Sequence, residues 1–234
     1  TTHKTSSAAS DVYKRQTPII TVHGCHSQIL NFEITKIICA MLNAITIQGD
    51  FVKKMSEDDF FKFCHQNSEV RIERYNQTKI VVMPPTGMMV SSYDADVVYQ
   101  LKRWNEEYKT GKVFGSSAGF TLPDKSVLSP DASWVSNERL AQLTIEDQRK
   151  FGHVCPEFLI EVKSESDRLS VAKEKMTRWV ENGCQLAWLI DPEKENTHIY
   201  RADGTIEIID GFDQKLSGET VLAGFELDLS TLRY

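Results

Sequence analysis

Strict alternation of apolar and polar residues marks Val70-Arg71-Ile72-Glu73-Arg74-Tyr75, placing Arg71, Glu73 and Tyr75 on one face and Val70, Ile72 and Arg74 on the other. Asn76-Gln77 interrupts the pattern and Ile80-Val81-Val82-Met83 follows, so the segment predicts a β-hairpin. Ahead of it, Ser56-Glu57-Asp58-Asp59 before Phe60, Phe61 and Phe63 combines an N-cap residue with first-turn acids and predicts a helix. After Pro84-Pro85-Thr86-Gly87, the residues Val97, Val98, Leu101, Trp104 and Tyr108 recur at helical spacing until Gly111. Asp94 and Asp96 read as first-turn acids of that helix.

Short β runs follow at Val113-Phe114, Gly119 to Leu122 and Ala132 to Val135, and Thr144-Ile145-Glu146-Asp147 caps a short helix. Pro156 to Lys163 reads as a buried strand. Leu169, Ala172, Met176, Trp179 and Val180 mark a helix that stops at Gly183. Gln185 to Ile190 is a nearly continuous apolar run, hence a central strand pairing parallel to 157–163. Thr197 to Tyr200 and Ile206 to Ile209 flank the turn dipeptide Asp203-Gly204 and predict a hairpin toward the C-terminus. The order of elements specifies an α/β chain.

Two charges stand inside the strand 157–163. Alternation puts Phe158, Ile160 and Val162 on one face, and Leu159, Glu161 and Lys163 on the other. Glu161 and Lys163 are therefore neighbours, about 7 Å apart at their Cα atoms. Charges so placed cost desolvation energy unless they are paired or used. Thirty residues earlier, Asp131 follows Pro130 and opens the run Ala132-Ser133-Trp134-Val135. Hydrolysis of a phosphodiester by a hard divalent cation needs oxygen ligands with room for water and phosphate. Asp131 and Glu161 supply two carboxylates, the carbonyl of Val162 a third ligand, and Lys163 a group to orient water or offset phosphate charge. Glu73 is the best further carboxylate. Each residue also has a plainer explanation. Asp131 fits a turn, Glu161 with Lys163 fits a salt bridge on a half-exposed strand, and Glu73 between Arg71 and Arg74 fits a surface ion-pair network. The three strand-borne residues in this order carry more weight than any one of them.

Other chemistries find less support. His153 and Cys155 lack an orienting partner at readable spacing. Gly115-Ser116-Ser117-Ala118-Gly119 lacks the Lys-Ser/Thr ending of a phosphate loop. The tryptophans fall at core periods and are assigned to packing. The five cysteines are irregularly spaced without a Cys-x-x-Cys pair, which fits reduced thiols, and His23-Gly24-Cys25-His26 has no second ligand pair for zinc.

The 234 residues suffice for one sizeable domain, and no apolar run reaches the length of a membrane span, so a cytoplasmic protein without membrane contact is expected. The net charge of −6 argues against a broad basic surface, so any DNA-facing basic patch must be local. Residues 1–16 show no apolar period and resemble translated adaptor sequence. Residues 1–40 are read as a non-native or disordered leader, with Met41 as the start of a single domain over 41–234.

Asp131 followed by Glu161-Val162-Lys163 resembles the PD-(D/E)XK nuclease signature. A longer set of words extends the likeness: Met83-Pro84-Pro85-Thr86-Gly87, Leu128 to Val135, Cys155 to Ser164, Lys175-Met176, Glu181-Asn182-Gly183, Trp188 to Pro192 and Leu222 to Leu229. Together they resemble the Uma-type family of bacterial restriction endonucleases over roughly residues 42–232. Met88, Met89 and Val90 depart from the Gly-Glu or nearby His that many members carry after Pro-Thr-Gly. The resemblance implies a restriction-endonuclease-like mixed sheet flanked by helices, with Asp131, Glu161 and Lys163 as the active set and Glu73 as an upstream acid. It implies a Mg²⁺-dependent enzyme, with Mn²⁺ as a substitute, acting on DNA. Cutting both strands further suggests a homodimer. The competing expectation is a catalytically silent nucleic-acid-binding or scaffold protein on the same fold.

Overall fold

Two six-stranded sheets meet along the link Ser129-Pro130-Asp131, and this junction positions the candidate site. The computed structural model describes residues 19–21, 44–165 and 167–233. The rest of the predicted leader, with Met41 and His23 to His26, lies outside the described residues.

The first sheet runs β1 (Ile19–Thr21), β2 (Ile45–Gln48), β4 (Lys79–Met83), β3 (Arg71–Tyr75), β7 (Val127–Leu128) and β6 (Phe120–Thr121). β1 pairs parallel with β2, so three residues of the predicted leader are described as strand. β3 and β4 form the predicted hairpin in antiparallel register from Arg71 opposite Met83 to Tyr75 opposite Lys79. Asn76 and Gln77 take left-handed φ of 48° and 53° in its turn, as tight hairpin turns require. α1 (Asp50–Lys54) and α2 (Glu57–Gln66) accompany this sheet, and Val52, Phe60, Phe63, Ile72, Ile80 and Val82 share one apolar cluster. The Ser56 hydroxyl accepts from the N–H of Asp59 at 3.1 Å and starts α2 where the sequence predicts.

The second sheet runs β12 (Ile206–Asp210), β11 (Asn196–Arg201), β10 (Leu186–Asp191), β9 (Phe158–Val162), β8 (Ala132–Ser136) and β5 (Gly111–Gly115). β9 and β10 pair parallel and the other neighbours antiparallel, giving the mixed sheet that the resemblance implies. Both faces are covered. α3 (Met88–Tyr108) lays Tyr93, Val97, Leu101 and Trp104 against Phe158, Ile160 and Val162. α6 (Leu169–Glu181) lays Met176 and Trp179 on the opposite face with Leu159, Ala187 and Leu189. The alternation read for 157–163 is thus the division between two cores. Two short helices, α4 (Asn137–Leu140) and α5 (Ile145–Arg149), fill the connection to β9, and α5 carries the predicted cap as a full capping box between Thr144 and Asp147. A terminal pair, β13 (Lys215–Ser217) with β14 (Glu226–Asp228), closes the chain.

One boundary differs from expectation. α3 starts at Met88 behind Gly87, so its first turn holds no acid, and Asp94 and Asp96 lie in its second and third turns. They cannot serve the helix dipole there, because that interaction dies away within the first turn.

Candidate active site

Asp131 precedes β8, and the β8–β9 register of Ala132 opposite Ile160, continued by one residue, sets Asp131 across from Glu161. The N–H of Val162 donates to Asp131 Oδ2 at 2.8 Å. In a strand the N–H and C=O of one residue face the same edge, so the Val162 carbonyl is directed to the Asp131 side. The first sheet supplies Arg71 and Glu73 from the face predicted by alternation in β3. Arg71 Nη1 donates to Asp131 Oδ1 at 2.9 Å and Nη2 to the Ser129 carbonyl at 2.6 Å. Glu73, 1% exposed, accepts from the Tyr75 hydroxyl at 2.8 Å and the Ser129 N–H at 3.0 Å. The surface ion-pair explanation of Glu73 therefore fails, because the carboxylate is buried.

Two further residues come from α6, one turn apart. Lys175 Nζ stands 2.8 Å from Glu73 Oε1 and 2.8 Å from Glu161 Oε1, and 3.2 Å from the Ser129 carbonyl. Trp179 Nε1 donates to the same Glu161 oxygen at 3.1 Å. Helix spacing explains the pair, since residues i and i+4 share a stripe. Both contacts on Glu161 fall on Oε1, which leaves the lone pairs of Oε2 for another ligand. Sequence reasoning placed Trp179 in the core, where it is, but missed its hydrogen bond, and it gave Lys175 no role. The available signal was Lys175 four residues before a buried Trp, on the helix that packs over Glu161.

Lys163 shares the face of β9 with Glu161 as predicted, but its head group points elsewhere. Nζ donates to the Ser164 carbonyl at 3.0 Å and lies 3.8 Å from both Asp191 Oδ2 and Glu193 Oε2. The structure thus joins Glu73, Asp131, Glu161 and Val162 in one network and leaves Lys163 in a second one at the ends of β9 and β10.

Burial pushes the Glu161 carboxyl up to about 7; Lys175 and Arg71 pull it back down, and repulsion from Asp131 and Glu73 cancels part of that pull. Asp94, reaching in from α3, is also pushed up to about 7 by burial and by Asp131, and its buried Oδ1 accepts no hydrogen bond. Burial opposes charge on Glu73 too, but Lys175, Arg71 and the Ser129 N–H hold it below the usual carboxylate range. Burial likewise works against the Lys175 ammonium, yet Glu161 and Glu73 raise it above the ordinary lysine value.

These directions predict a pH dependence of stability. Glu161 has an ordinary value of 4.5 and is raised to about 7 on folding. Between those values the folded protein holds more protons than the unfolded chain, so stability falls as pH rises through that window. In EDTA, the melting temperature should drop from about pH 5 to about pH 7.5, with a shallower slope in Glu161→Gln. Identical slopes in both proteins would remove Glu161 from the account.

The donor set suits a hard cation. Asp131, Glu161 Oε2, the Val162 carbonyl and the unpartnered Asp94 Oδ1 are all oxygens. Among the described residues, no group of three or more His, Cys, Asp or Glu side chains is placed to hold a metal ion. Mg²⁺ needs no such group, because it commonly keeps several waters and takes one or two carboxylates. The cysteine alternative is weak: burial pushes the Cys155 thiol up to about 12, and His153 instead bridges Glu57 and Asp147 at 2.9 and 3.2 Å. No described helix is long and apolar enough to cross a membrane.

The solved structure of an Anabaena variabilis protein, described as a "putative nuclease belonging to DUF820", matches with a TM-score of 0.58 at 18% identity, covering 69% of this chain and 88% of that one. At that identity the likeness is one of fold, and it agrees with the helix-flanked mixed sheet described above. No curated protein matches the chain in sequence. A family model described as "Uma2: Putative restriction endonuclease" matches residues 57–230, which include every member of the site from Arg71 to Glu193, and the chain belongs to that family.

Proposed function

We propose that the protein is a metal-dependent endonuclease that hydrolyses phosphodiester bonds in DNA. The observation that carries this reading is Asp131 set across from Glu161 at the junction of two sheets, each with lone pairs left over beside the Val162 carbonyl. Asp131, Glu161 and the Val162 carbonyl would hold Mg²⁺, or Mn²⁺ in its place. When bound, such a cation polarises the phosphoryl oxygens and makes water a better nucleophile at neutral pH.

The side chains around it have separable tasks. Arg71, 24% exposed at its side chain, fixes Asp131 and presents positive charge toward solvent, where a phosphate would approach. Trp179 fixes the orientation of Glu161, and Glu73 holds Lys175. Lys163 lies beside Glu161 on the strand, and its ammonium, released from Asp191 and Glu193, would offset charge developing on the phosphate. A two-fold dimer would offer one such site to each DNA strand.

The test is cleavage of supercoiled plasmid, single-stranded DNA and RNA in Mg²⁺, Mn²⁺ or EDTA. Wild type should nick or linearise plasmid only with metal, and linear product appearing without accumulated nicked circles marks a paired site. Lys163→Met should fold, keep metal binding and lose roughly a hundredfold in rate. Equal rates would reduce Lys163 to a partner of Asp191. Absence of cleavage under every condition would favour the catalytically silent nucleic-acid-binding or scaffold reading, toward which the net charge of −6 leans.

A further inference from the structure

We propose that the Lys175 ammonium is a built-in counter-cation of this site, occupying Glu161 and Glu73 in the metal-free protein and competing with the divalent cation. This rests on the metal site proposed above. Nζ lies 2.8 Å from an oxygen of each carboxylate, on a side chain only 11% exposed. Among the described residues, no second cation balances this pair as closely. Arg71 reaches Glu73 Oε1 at 4.0 Å but directs its fork to Asp131 and the Ser129 carbonyl. Lys163 is held at Ser164, Asp191 and Glu193.

A divalent cation on Glu161 would stand within a few ångströms of Lys175 in a poorly solvated site, where like charges strongly disfavour each other. Of the two basic residues, Lys175 is the one built to yield. Its head is a point charge on a flexible stem, whereas Arg71 is fixed by a planar fork. The ammonium therefore keeps the carboxylates together without metal and gives way as metal binds. The consequence separates it from an ordinary structural lysine. Removing its charge should tighten metal binding while weakening the metal-free fold, whereas loss of a purely structural contact weakens both.

The experiment is calorimetric titration of Mn²⁺ into the full chain, without nucleic acid, for wild type, Lys175→Met, Lys175→Arg and Lys173→Met. Lys175→Met should bind Mn²⁺ roughly tenfold or more tightly than wild type and melt at a lower temperature in EDTA. Lys175→Arg should bind as wild type does. Lys173→Met removes the same charge two residues away on α6 and should also leave the affinity unchanged. Equal or weaker binding by Lys175→Met overturns the proposal, as does equal tightening in Lys173→Met. If neither wild type nor Lys175→Met takes up Mn²⁺, the metal site and this inference fall together; if both bind alike, only this inference falls. Should Lys175→Met fail to fold, the wild-type Lys175 ammonium serves instead. Its ¹⁵N resonance should shift and its protons exchange faster on adding Mg²⁺, and an unchanged signal under saturating Mg²⁺ overturns the proposal.

Discussion

Asp131→Ala should fold, bind Mn²⁺ at least tenfold more weakly than wild type, and cleave plasmid at least about a thousandfold more slowly, the upper range for removing one charge-stabilising group from an active site. The fold should survive because one partner of the lost carboxylate has recourse and the other costs only one hydrogen bond. Arg71 is partly exposed and keeps its bond to the Ser129 carbonyl. The Val162 N–H is left buried without its acceptor, which costs about 1–3 kcal/mol. Loss of metal binding with a retained fold is the signature of a ligand. Circular dichroism and a melting curve in EDTA establish the fold, and calorimetry with Mn²⁺ followed by the plasmid assay reads the rest. A variant that binds Mn²⁺ and cleaves like wild type would return Asp131 to the role of a turn residue after Pro130.

The parts of this site that the sequence exposes are those governed by strand periodicity. Alternation alone puts Glu161 and Lys163 on one face of β9, and Arg71, Glu73 and Tyr75 on one face of β3. Both assignments hold, because a two-residue period leaves no choice of face once one face is buried. Asp131 was readable for the same reason, as the residue that opens a strand. What the sequence conceals is the contribution from helices. Lys175 sits in a run with Lys173 and Glu174 that reads as a solvated face, and only the packing of α6 over β9 turns it inward. Asp94 and Asp96 are misplaced by the sequence because the apolar period begins only at Val97, which sets both acids in an imagined first turn although the helix already runs from Met88. The direction of the Lys163 head group was also beyond reach. It depends on Asp191, brought alongside by the parallel β9–β10 pairing rather than by any spacing in the chain.

Glu73→Ala should be the most destabilising single change in the site. Glu73 accepts from the Tyr75 hydroxyl and the Ser129 N–H and pairs with Lys175, all within the buried junction of the two sheets. Truncation strands the hydroxyl and the N–H without an acceptor, and leaves Lys175 with Glu161 alone. Breaking a buried ionic pair by removing one partner costs about 3–5 kcal/mol. For a domain of this size that is a fall in melting temperature on the order of 10 °C, and denaturant unfolding should show the same loss at unchanged slope. Glu73→Gln keeps the shape and an oxygen for Tyr75 or Ser129, so it should lose only about 1–3 kcal/mol. The comparison with Asp131→Ala then divides the site by function. Asp131 has a partly solvated partner and spare lone pairs, so its removal should strike metal binding and cleavage before stability. Glu73 is enclosed by donors on both oxygens, so its removal should strike stability first and cleavage through the displaced Lys175. A Glu73→Ala protein within about 1 kcal/mol of wild type would mean that the carboxylate is solvated rather than enclosed, and the two-sheet junction would lose its electrostatic centre.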